Sequence, residues 1–485
     1  MKQSEIVGLY EIYKKCGGKV TTDSRKIRGG EMFFALKGEN FDGNEYALKA
    51  LEAGAAYAVV DKSSAVAARL SADSSADASG MCMEEQGKDY VPEDFKSRLI
   101  PVEDTLVALQ SLARWHRSMM FVDGKPLTVI ALTGTNGKTT TKELVRSVLE
   151  TKYNVTATEG NLNNSIGVPL TLLSITPETQ IAVVEMGASH PGDIKELVSV
   201  ALPTYGLITN VGKAHLLGFG SFEGVMAAKG ELYDYLQRTA DKAFVNIDNP
   251  YLQKMAEARP DLKTIAYGLN YEGAEVLPSS LEHPYLRIRL AGGRVISTHL
   301  VGSYNADNVM TAIAVGHEFG IGEEEAVAAI EHYVPANNRS QMVQAASGML
   351  IVDAYNANPT SMAAALDNLD SVNYPSKAVM LGNMLELGDE SVKEHVAVLE
   401  KLSRMKSIDR IVLVGEEFHK ALEAFGNVCA TVPDASGMAG NDDRTQWFAT
   451  SDEAASYLKS NPLKDCCILI KGSRGTKMEN IIPVL

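Results

Sequence analysis

Residues 131–150 read "ALTGTNGKTTTKELVRSVLE", and the apolar run "TVIAL" leads into them from 128. A short strand thus passes into a glycine-rich turn, then Lys138, then hydroxyls, then a helix. Such an order makes a place to hold phosphates. Backbone N–H groups of the turn and of the helix N-terminus face an anion. Gly134 and Gly137 permit close backbone approach. Lys138 adds a positive charge for the β/γ-phosphates, and the Thr139 hydroxyl can bind Mg²⁺. The stretch is not a full G-x-x-x-x-G-K-[ST], because Leu132 stands where the first glycine belongs. An ordinary glycine turn capping a helix is the plain alternative. The strand before, the helix after and the Lys-Thr-Thr within weigh against it.

Working outward, the same alternation continues. From about 103 to 334 the strands TVIAL, QIAVVEM, YGLITNV, KAFVNID and TIAY alternate with helices. That pattern predicts a parallel sheet with right-handed crossovers. "YLRIRLAGGRVISTHLVG" interrupts it as a hairpin around Gly292 and Gly293. From 335 the alternation restarts with MLIVDAY, KAVMLG, RIVLVG and CCILIKG. Residues 1–102 mix short strands and helices, beginning with an amphipathic helix that carries Ile6, Leu9, Tyr10 and Tyr13 on one face. The expected class is α/β in three domains, 1–102, 103–334 and 335–485. Polar stretches near 71–97 and 431–446 read as surface insertions. No tandem repeat is visible.

Composition bounds the partners. The chain has 485 residues, 45% of them apolar, and a net charge of -15. So acidic a chain is a poor candidate for nonspecific binding to nucleic acid or anionic membrane, and any anionic ligand must be met by local cations and backbone N–H groups. The N-terminal segment has no long apolar core, and no apolar run approaches ~20 residues, so neither a signal peptide nor a membrane span is expected. Five cysteines without metal spacing suit a reducing cytoplasm. A monomer is expected.

Candidate site residues cluster at predicted strand ends, where open parallel sheets hold ligands. Glu185 finishes "QIAVVEM"; a carboxylate there is costly unless something binds it, and a structural ion pair is the alternative. "LITNVGKAHLLGFGS" brings Lys213 and His215 to the same edge. Lys229, in "SFEGVMAAKGELYDYL", reads from spacing alone as a solvated helix charge. Asn163 and Asn164 suit either a polar ligand or turn chemistry. Asp353 ends another strand. Asn356 and Asn358 after it are ligand contacts or helix-start turns, with Pro359 and Thr360 beginning the helix. Lys471 and Arg474 on the last glycine loop form a candidate anion clamp. Arg25, Lys37 and Gly38 suit a second phosphate or nucleotide, or simply surface charge.

Together these pieces resemble the Mur ligases. GTNGKTT is shared with folylpolyglutamate synthases; EMGA (185–188), YNANP (355–359), MLELG (384–388) and KGSR (471–474) are more specific. The likeness is strongest to the members that join D-alanyl-D-alanine to UDP-N-acetylmuramoyl-tripeptide. A D-N-P-R signature of the branch adding the third peptide residue is absent. Asn383 stands where Asp is usual, and Asn44 where His is common after FDG.

The resemblance implies a small N-terminal domain for the UDP end, a central P-loop ATPase domain and a Rossmann-like C-terminal domain closing over ATP and acceptor, hinged near 335. It implies that Gly134, Thr135, Asn136, Gly137, Lys138, Thr139 and Thr140 hold the ATP phosphates. Thr139, Glu185 and His215 would organise Mg²⁺. Lys229 would carry a carbamate facing a second Mg²⁺. Asn305 and Asn308 would contact adenine; Arg339 and Asp353 would lie around ribose and phosphates. Ser24, Arg25, Lys37, Gly38, Asp42 and Gly43 would meet the UDP end, with Asn163 and Asn164 over the sugar nucleotide. The implied reaction makes an acyl phosphate from ATP and a peptide carboxylate, which the acceptor amine attacks. A folylpolyglutamate-type ligase and a nucleotide-driven binding module are the competing readings. The third peptide residue, diaminopimelate or lysine, is left open.

Overall fold

The structure, a computed structural model, describes residues 1–38, 41–73, 91–280, 283–335, 341–429 and 444–485. The chain forms two compact units. One comprises 1–131, 153–187 and 193–205; the other comprises 132–152, 188–192 and 206–485.

In the first unit, β1 (Val20–Thr21), β2 (Met32–Phe34), β3 (Tyr57–Asp61) and β4 (Leu99–Val102) form a parallel sheet in chain order. Phe33, Ala58 and Val60 pack with Leu51 and Phe95 on one side of it. Val91 and Phe95 are buried and Glu93–Lys96 is a short helix. The end of the expected 71–97 insertion is therefore core, because its apolar residues complete this sheet. Residues 74–90 of that insertion lie outside the described residues. The helix Gln3–Lys15 buries Leu9 and Tyr13, as its apolar face predicts, and Tyr13 donates to the Leu173 carbonyl at 2.7 Å. The helix Thr105–Ser118 starts on an Asp104 cap that accepts from Val107 N–H.

A minor hairpin joins β5 (Phe121–Val122) to β6 (Lys125–Pro126). The central strands then follow as β7 (Thr128–Thr133), β8 (Val155–Ala157), β9 (Ile181–Glu185), β10 (Tyr205–Ile208), β11 (Lys242–Asn246) and β12 (Lys263–Tyr267), all but the three-residue β8 among those expected from the sequence. Their sheet order is β12-β11-β10-β7-β9-β8. The chain leaves β7 in one direction for β8 and β9 and in the other for β10 to β12. The glycine turn thus follows a strand at which the winding reverses, where doubly wound sheets place ligands.

In the second unit, β13 (Glu275–Leu277), β14 (Arg287–Arg289) and β15 (Val295–Ser297) make an antiparallel sheet. The expected hairpin is its β14–β15 part; β13 went unread because EVL is a three-residue edge. The last sheet contains β16 (Gln341–Ala345), β17 (Gly348–Asp353), β18 (Ser376–Gly382), β19 (Arg410–Val414), β20 (Thr445–Phe448) and β21 (Cys466–Lys471), ordered β16-β17-β21-β18-β19-β20. Only β16 runs antiparallel to its neighbour. Alternate residues feed two cores: Ile351, Val379, Leu381 and Leu469 on one face, Leu350, Val352, Met380 and Ile470 on the other. Burial on both faces explains why these strands read as continuous apolar runs. Thr445–Phe448 begins inside the last two residues of the stretch near 431–446 expected to be a polar loop, so that expectation is corrected at its end; residues 430–443 lie outside the described ones. Among the described residues no helix is long and apolar enough to cross a membrane.

Candidate active site

The glycine turn is fixed mainly by the strand-end segment 209–210. Thr135 N–H donates to the Asn210 carbonyl at 3.0 Å, and Asn136 N–H to Asn210 Oδ1 at 2.9 Å. The Asn136 carbonyl accepts from Thr209 Oγ1 at 2.6 Å and Asn210 Nδ2 at 3.0 Å. Gly134 and Gly137 have φ of 149° and 78°, and Gly137 caps the helix Lys138–Leu149. A side chain at Gly137 would also strike Asn308 Oδ1, 2.6 Å from an added Cβ. Lys138 is half-buried and lays its Nζ across the turn, donating to the carbonyls of Gly134 (2.7 Å) and Thr135 (3.2 Å). Thr139 is buried and Thr140 half-buried behind it.

Asn305 and Asn308 brace this arrangement from the helix Ala306–Glu318 and the turn before it. Asn305 donates to the Val301 carbonyl, Asn308 donates to Asn305 Oδ1, and Thr141 Oγ1 donates to Asn308 Oδ1, at 2.8, 2.8 and 2.9 Å. Their described bonds are internal scaffolding.

His215 takes a left-handed backbone, φ 51°, just before the short helix Leu216–Phe219. Its Nδ1 meets the Glu386 carboxylate, and its ring stands edge-on to Phe219. Burial pushes its pKa down. Glu386 opposes that, while the charges of Lys138 and Lys229 push it further down. Those two lysines therefore lie within electrostatic reach of one imidazole. Lys229 sits on the helix Phe222–Thr239 and is only 2% exposed, its ammonium 5.8 Å from the Phe219 ring centroid. The solvated-charge reading of Lys229 is thus overturned. It lies on the buried stripe Val225, Ala228, Leu232, Tyr233 and Leu236, and that spacing was the available signal. Lys213 pairs with buried Glu394, and its N–H donates to Thr360 Oγ1 at 3.2 Å. Glu386 and Glu394 were not singled out in the sequence. Glu386 lies inside MLELG, and its left-handed φ of 63° is a structural mark without a sequence signal.

Asp353 and Lys471 end neighbouring strands in register and form an ion pair; Lys471 also donates to the Asn356 carbonyl at 3.2 Å. Lys471 is a strand residue, 1% exposed, and not a loop cation. The proposed clamp therefore keeps only Arg474 on the loop, exposed, its guanidinium 5.9 Å from the Tyr355 ring centroid. Replacing Asp353 with Ala leaves the Lys471 charge buried without that carboxylate. We expect a stability loss of about 3–5 kcal/mol, read from urea unfolding. Asn358 caps the helix Pro359–Ser371 through Ser361 N–H, and its Nδ2 donates to Asn136 Oδ1 at 2.8 Å. Asn356 Oδ1 accepts from Ala357 N–H. Arg339 lies outside the described residues.

In the first unit, Glu185 ends β9 at 1% exposure. Its Oε1 accepts from Asn163 Nδ2 at 2.8 Å, and its N–H donates to Thr158 Oγ1. Asn164 Oδ1 accepts from the N–H groups of Ile166 and Gly167, which is turn chemistry at a helix start. Ser24 and Arg25 begin a short 3-10 helix; exposed Arg25 pairs with Asp23 and holds that carboxyl well below the usual range. Lys37 and Asp42 pair through their backbones in an isolated antiparallel β-bridge, and Gly38 N–H donates to the Phe41 carbonyl. Asp42 caps Gly43–Tyr46 and binds Asn44, whose buried amide also binds Asp61.

Among the described residues, no three His, Cys, Asp or Glu side chains come together as a ready metal cage. The donors expected from sequence still suit Mg²⁺, which takes few protein oxygens and keeps water and phosphate for the rest. In the second unit Thr139 is a hydroxyl donor of that kind, and in the first unit Glu185 is a buried carboxylate held in orientation by Asn163.

Family models match three successive segments: the Mur ligase family catalytic domain at 19–117, the Mur ligase middle domain at 132–316, and the Mur ligase glutamate ligase domain at 338–474. The UDP-N-acetylmuramoyl-tripeptide–D-alanyl-D-alanine ligase of Bacillus subtilis (strain 168) is 34% identical over 96% of this chain and 92% of its own. The enzyme of that name from Escherichia coli (strain K12) is 32% identical over 96% and 93%. A crystal structure of MurF from Acinetobacter baumannii superposes with a TM-score of 0.76 at 29% identity, covering 98% of this chain and 97% of that one. With Mur ligase models matching three successive segments and a relative 34% identical over 96% of its length, the chain belongs to the Mur ligase family.

Proposed function

We propose that the chain is an ATP-dependent ligase that joins D-alanyl-D-alanine to UDP-N-acetylmuramoyl-tripeptide, giving the pentapeptide precursor of peptidoglycan. The observation that carries this reading is the likeness to the Bacillus subtilis ligase over nearly the full length of both chains. The phosphate turn supports the same chemistry. A carboxylate is a poor acyl donor because oxide does not leave. One of its oxygens attacks the γ-phosphorus of ATP, ADP departs, and a carboxylic–phosphoric anhydride remains. The acceptor amine adds to the acyl carbon, and collapse expels inorganic phosphate carrying that oxygen.

Within 134–140 the N–H groups of Thr135 and Asn136 are taken up by Asn210, so the helix start at Gly137–Thr140 holds the phosphates, and Lys138 neutralises charge as it moves toward ADP. Its two carbonyl partners aim the ammonium along the turn rather than into solvent. Bound Mg²⁺ would supply further neutralisation of phosphate charge; Thr139, Glu185 and His215 are the residues that would hold it, with Lys229 nearby as its carbamate. Asn305, Asn308, Asp353 and Arg339 serve the nucleoside end. Ser24, Arg25, Lys37, Gly38, Asp42 and Gly43 serve the UDP end, with Asn163 and Asn164 over the sugar nucleotide. Asn356 and Arg474 face the acceptor, Arg474 as the carboxylate reader. We further propose working boundaries at 102 and 334, a monomeric state and a cytoplasmic location.

The test is phosphate release from ATP with UDP-N-acetylmuramoyl-tripeptide, with and without D-alanyl-D-alanine. We expect release only when both are present, and with a diaminopimelate or lysine tripeptide but not equally with both. Release indifferent to the dipeptide would leave a nucleotide-driven binding module instead.

A further inference from the structure

We propose that Asn358 is a positioning residue for the phosphate turn: its side-chain amide holds Asn136 directly, so that seating of the segment 341–485 and nucleotide binding reinforce each other. The inference rests on the ligase reading for its purpose, but its ADP titration does not.

The turn is the part of the site least determined by its own sequence. Two of its four residues from Gly134 to Gly137 are glycines with positive φ, a region they enter without strain. Segment 209–210 fixes its backbone at Thr135 and Asn136. The Asn136 side chain is fixed by a residue 222 positions later: Asn358 Nδ2 donates to Asn136 Oδ1 at 2.8 Å, with the reverse contact at 3.5 Å.

Asn358 is buried and committed on both ends of its amide. Oδ1 accepts from Ser361 N–H at 2.9 Å as the cap of the helix Pro359–Ser371, and Nδ2 goes to Asn136. The first turn of that helix makes a parallel contact. Thr360 Oγ1 accepts from Lys213 N–H at 3.2 Å and lies where a side chain at Gly212 would be, 2.7 Å from an added Cβ. Gly212 N–H in turn donates to Thr135 Oγ1 at 3.0 Å. The helix start thus touches the turn once through Asn136 and once through Gly212 and Thr135. Lys213–Glu394 and His215–Glu386 extend the same seam outward. Anything that favours one shape of the turn favours the seated helix, and the effect is reciprocal by linkage.

The cap role and the turn role separate by substitution. Ser caps a helix as well as Asn but is too short to reach Asn136; Ala does neither. We expect Asn358→Ser to keep the melting temperature of the parent while ADP affinity, measured by titration calorimetry on the full chain, falls roughly 5- to 10-fold, the scale of one hydrogen bond lost from a preorganised loop. Asn358→Ala should show the same affinity loss and a lower melting temperature. In an Asn136→Ala background, Asn358→Ser should change ADP affinity no further, because the shared bond is already gone. With ATP as varied substrate, the Asn358→Ser ligase should show a raised KM and a kcat within about twofold of the parent. Parental ADP affinity in Asn358→Ser, or equal losses in both backgrounds, would overturn the proposal. ADP titration does not depend on the acceptor, so failure of the ligase reading would show separately in the phosphate-release assay.

Discussion

Lys138→Ala should lose at least ~10³-fold in turnover while unfolding at nearly the parental denaturant concentration. The side chain is half-buried, and its described hydrogen bonds go to two carbonyls of its own turn. Those carbonyls accept water once the ammonium is gone, so the folding cost stays near ~1 kcal/mol. The catalytic cost is of another order. Phosphoryl transfer has little covalent chemistry for a protein to perform, and positioned charge supplies most of its acceleration. Removing one preorganised donor from such a site costs about 10²–10³ in kcat, and this donor carries a full charge. ADP should still bind weakly through the N–H groups of the helix start. The measurement pairs phosphate release under saturating substrates with urea unfolding. A variant retaining a tenth of parental turnover would remove Lys138 from the reaction and leave the turn as a helix cap.

The reading of that lysine came from local sequence, and so did most of the fold. TVIAL, QIAVVEM and CCILIKG are strands buried on both faces, and they announce themselves as unbroken apolar runs. What stayed hidden was of two kinds. Edge strands such as Gln341–Ala345 and Thr445–Phe448 cover little and carry polar residues, so period and composition both fall silent. Long-range polar pairs leave no periodic trace at all. Nothing near Lys471 says that Asp353, 118 residues earlier, takes its charge, and nothing near Asn136 points to Asn358. Glu185 was legible because a carboxylate closing a buried strand conflicts with its surroundings. Lys229 is a buried charge too. Its signal was a cation on an apolar helical stripe, weaker because long lysine stems often reach solvent from such positions.

That burial makes Lys229→Ala the second large effect. Burying an ammonium at 2% exposure is costly unless its charge is answered, and a helix this apolar would accept Leu or Met with less strain. If stability alone governed the position, Ala would be tolerated and activity preserved. We expect instead a loss of about 10³-fold in turnover with the fold retained, matching a role in holding phosphate-bound cations. The carbamate proposal sharpens the test. The neutral amine takes up CO₂ and releases a proton, so the nitrogen gains a carboxylate and the side chain changes from cation to anion. His215 reports that change, because the Lys229 charge now opposes protonation of its ring, and an anion in the same place would favour it. Carbon-13 NMR of protein equilibrated with labelled bicarbonate should show a carbamate resonance that Lys229→Ala lacks. The imidazole resonances of His215 should titrate at higher pH in the carbamylated protein than in protein purged of CO₂. Acetate or another short carboxylate should restore at least ~10-fold of the lost turnover to Lys229→Ala by occupying the vacated volume with an anion. Parental turnover in the variant would make Lys229 a packing residue. Lost turnover with neither resonance nor rescue would keep it in the site as a cation.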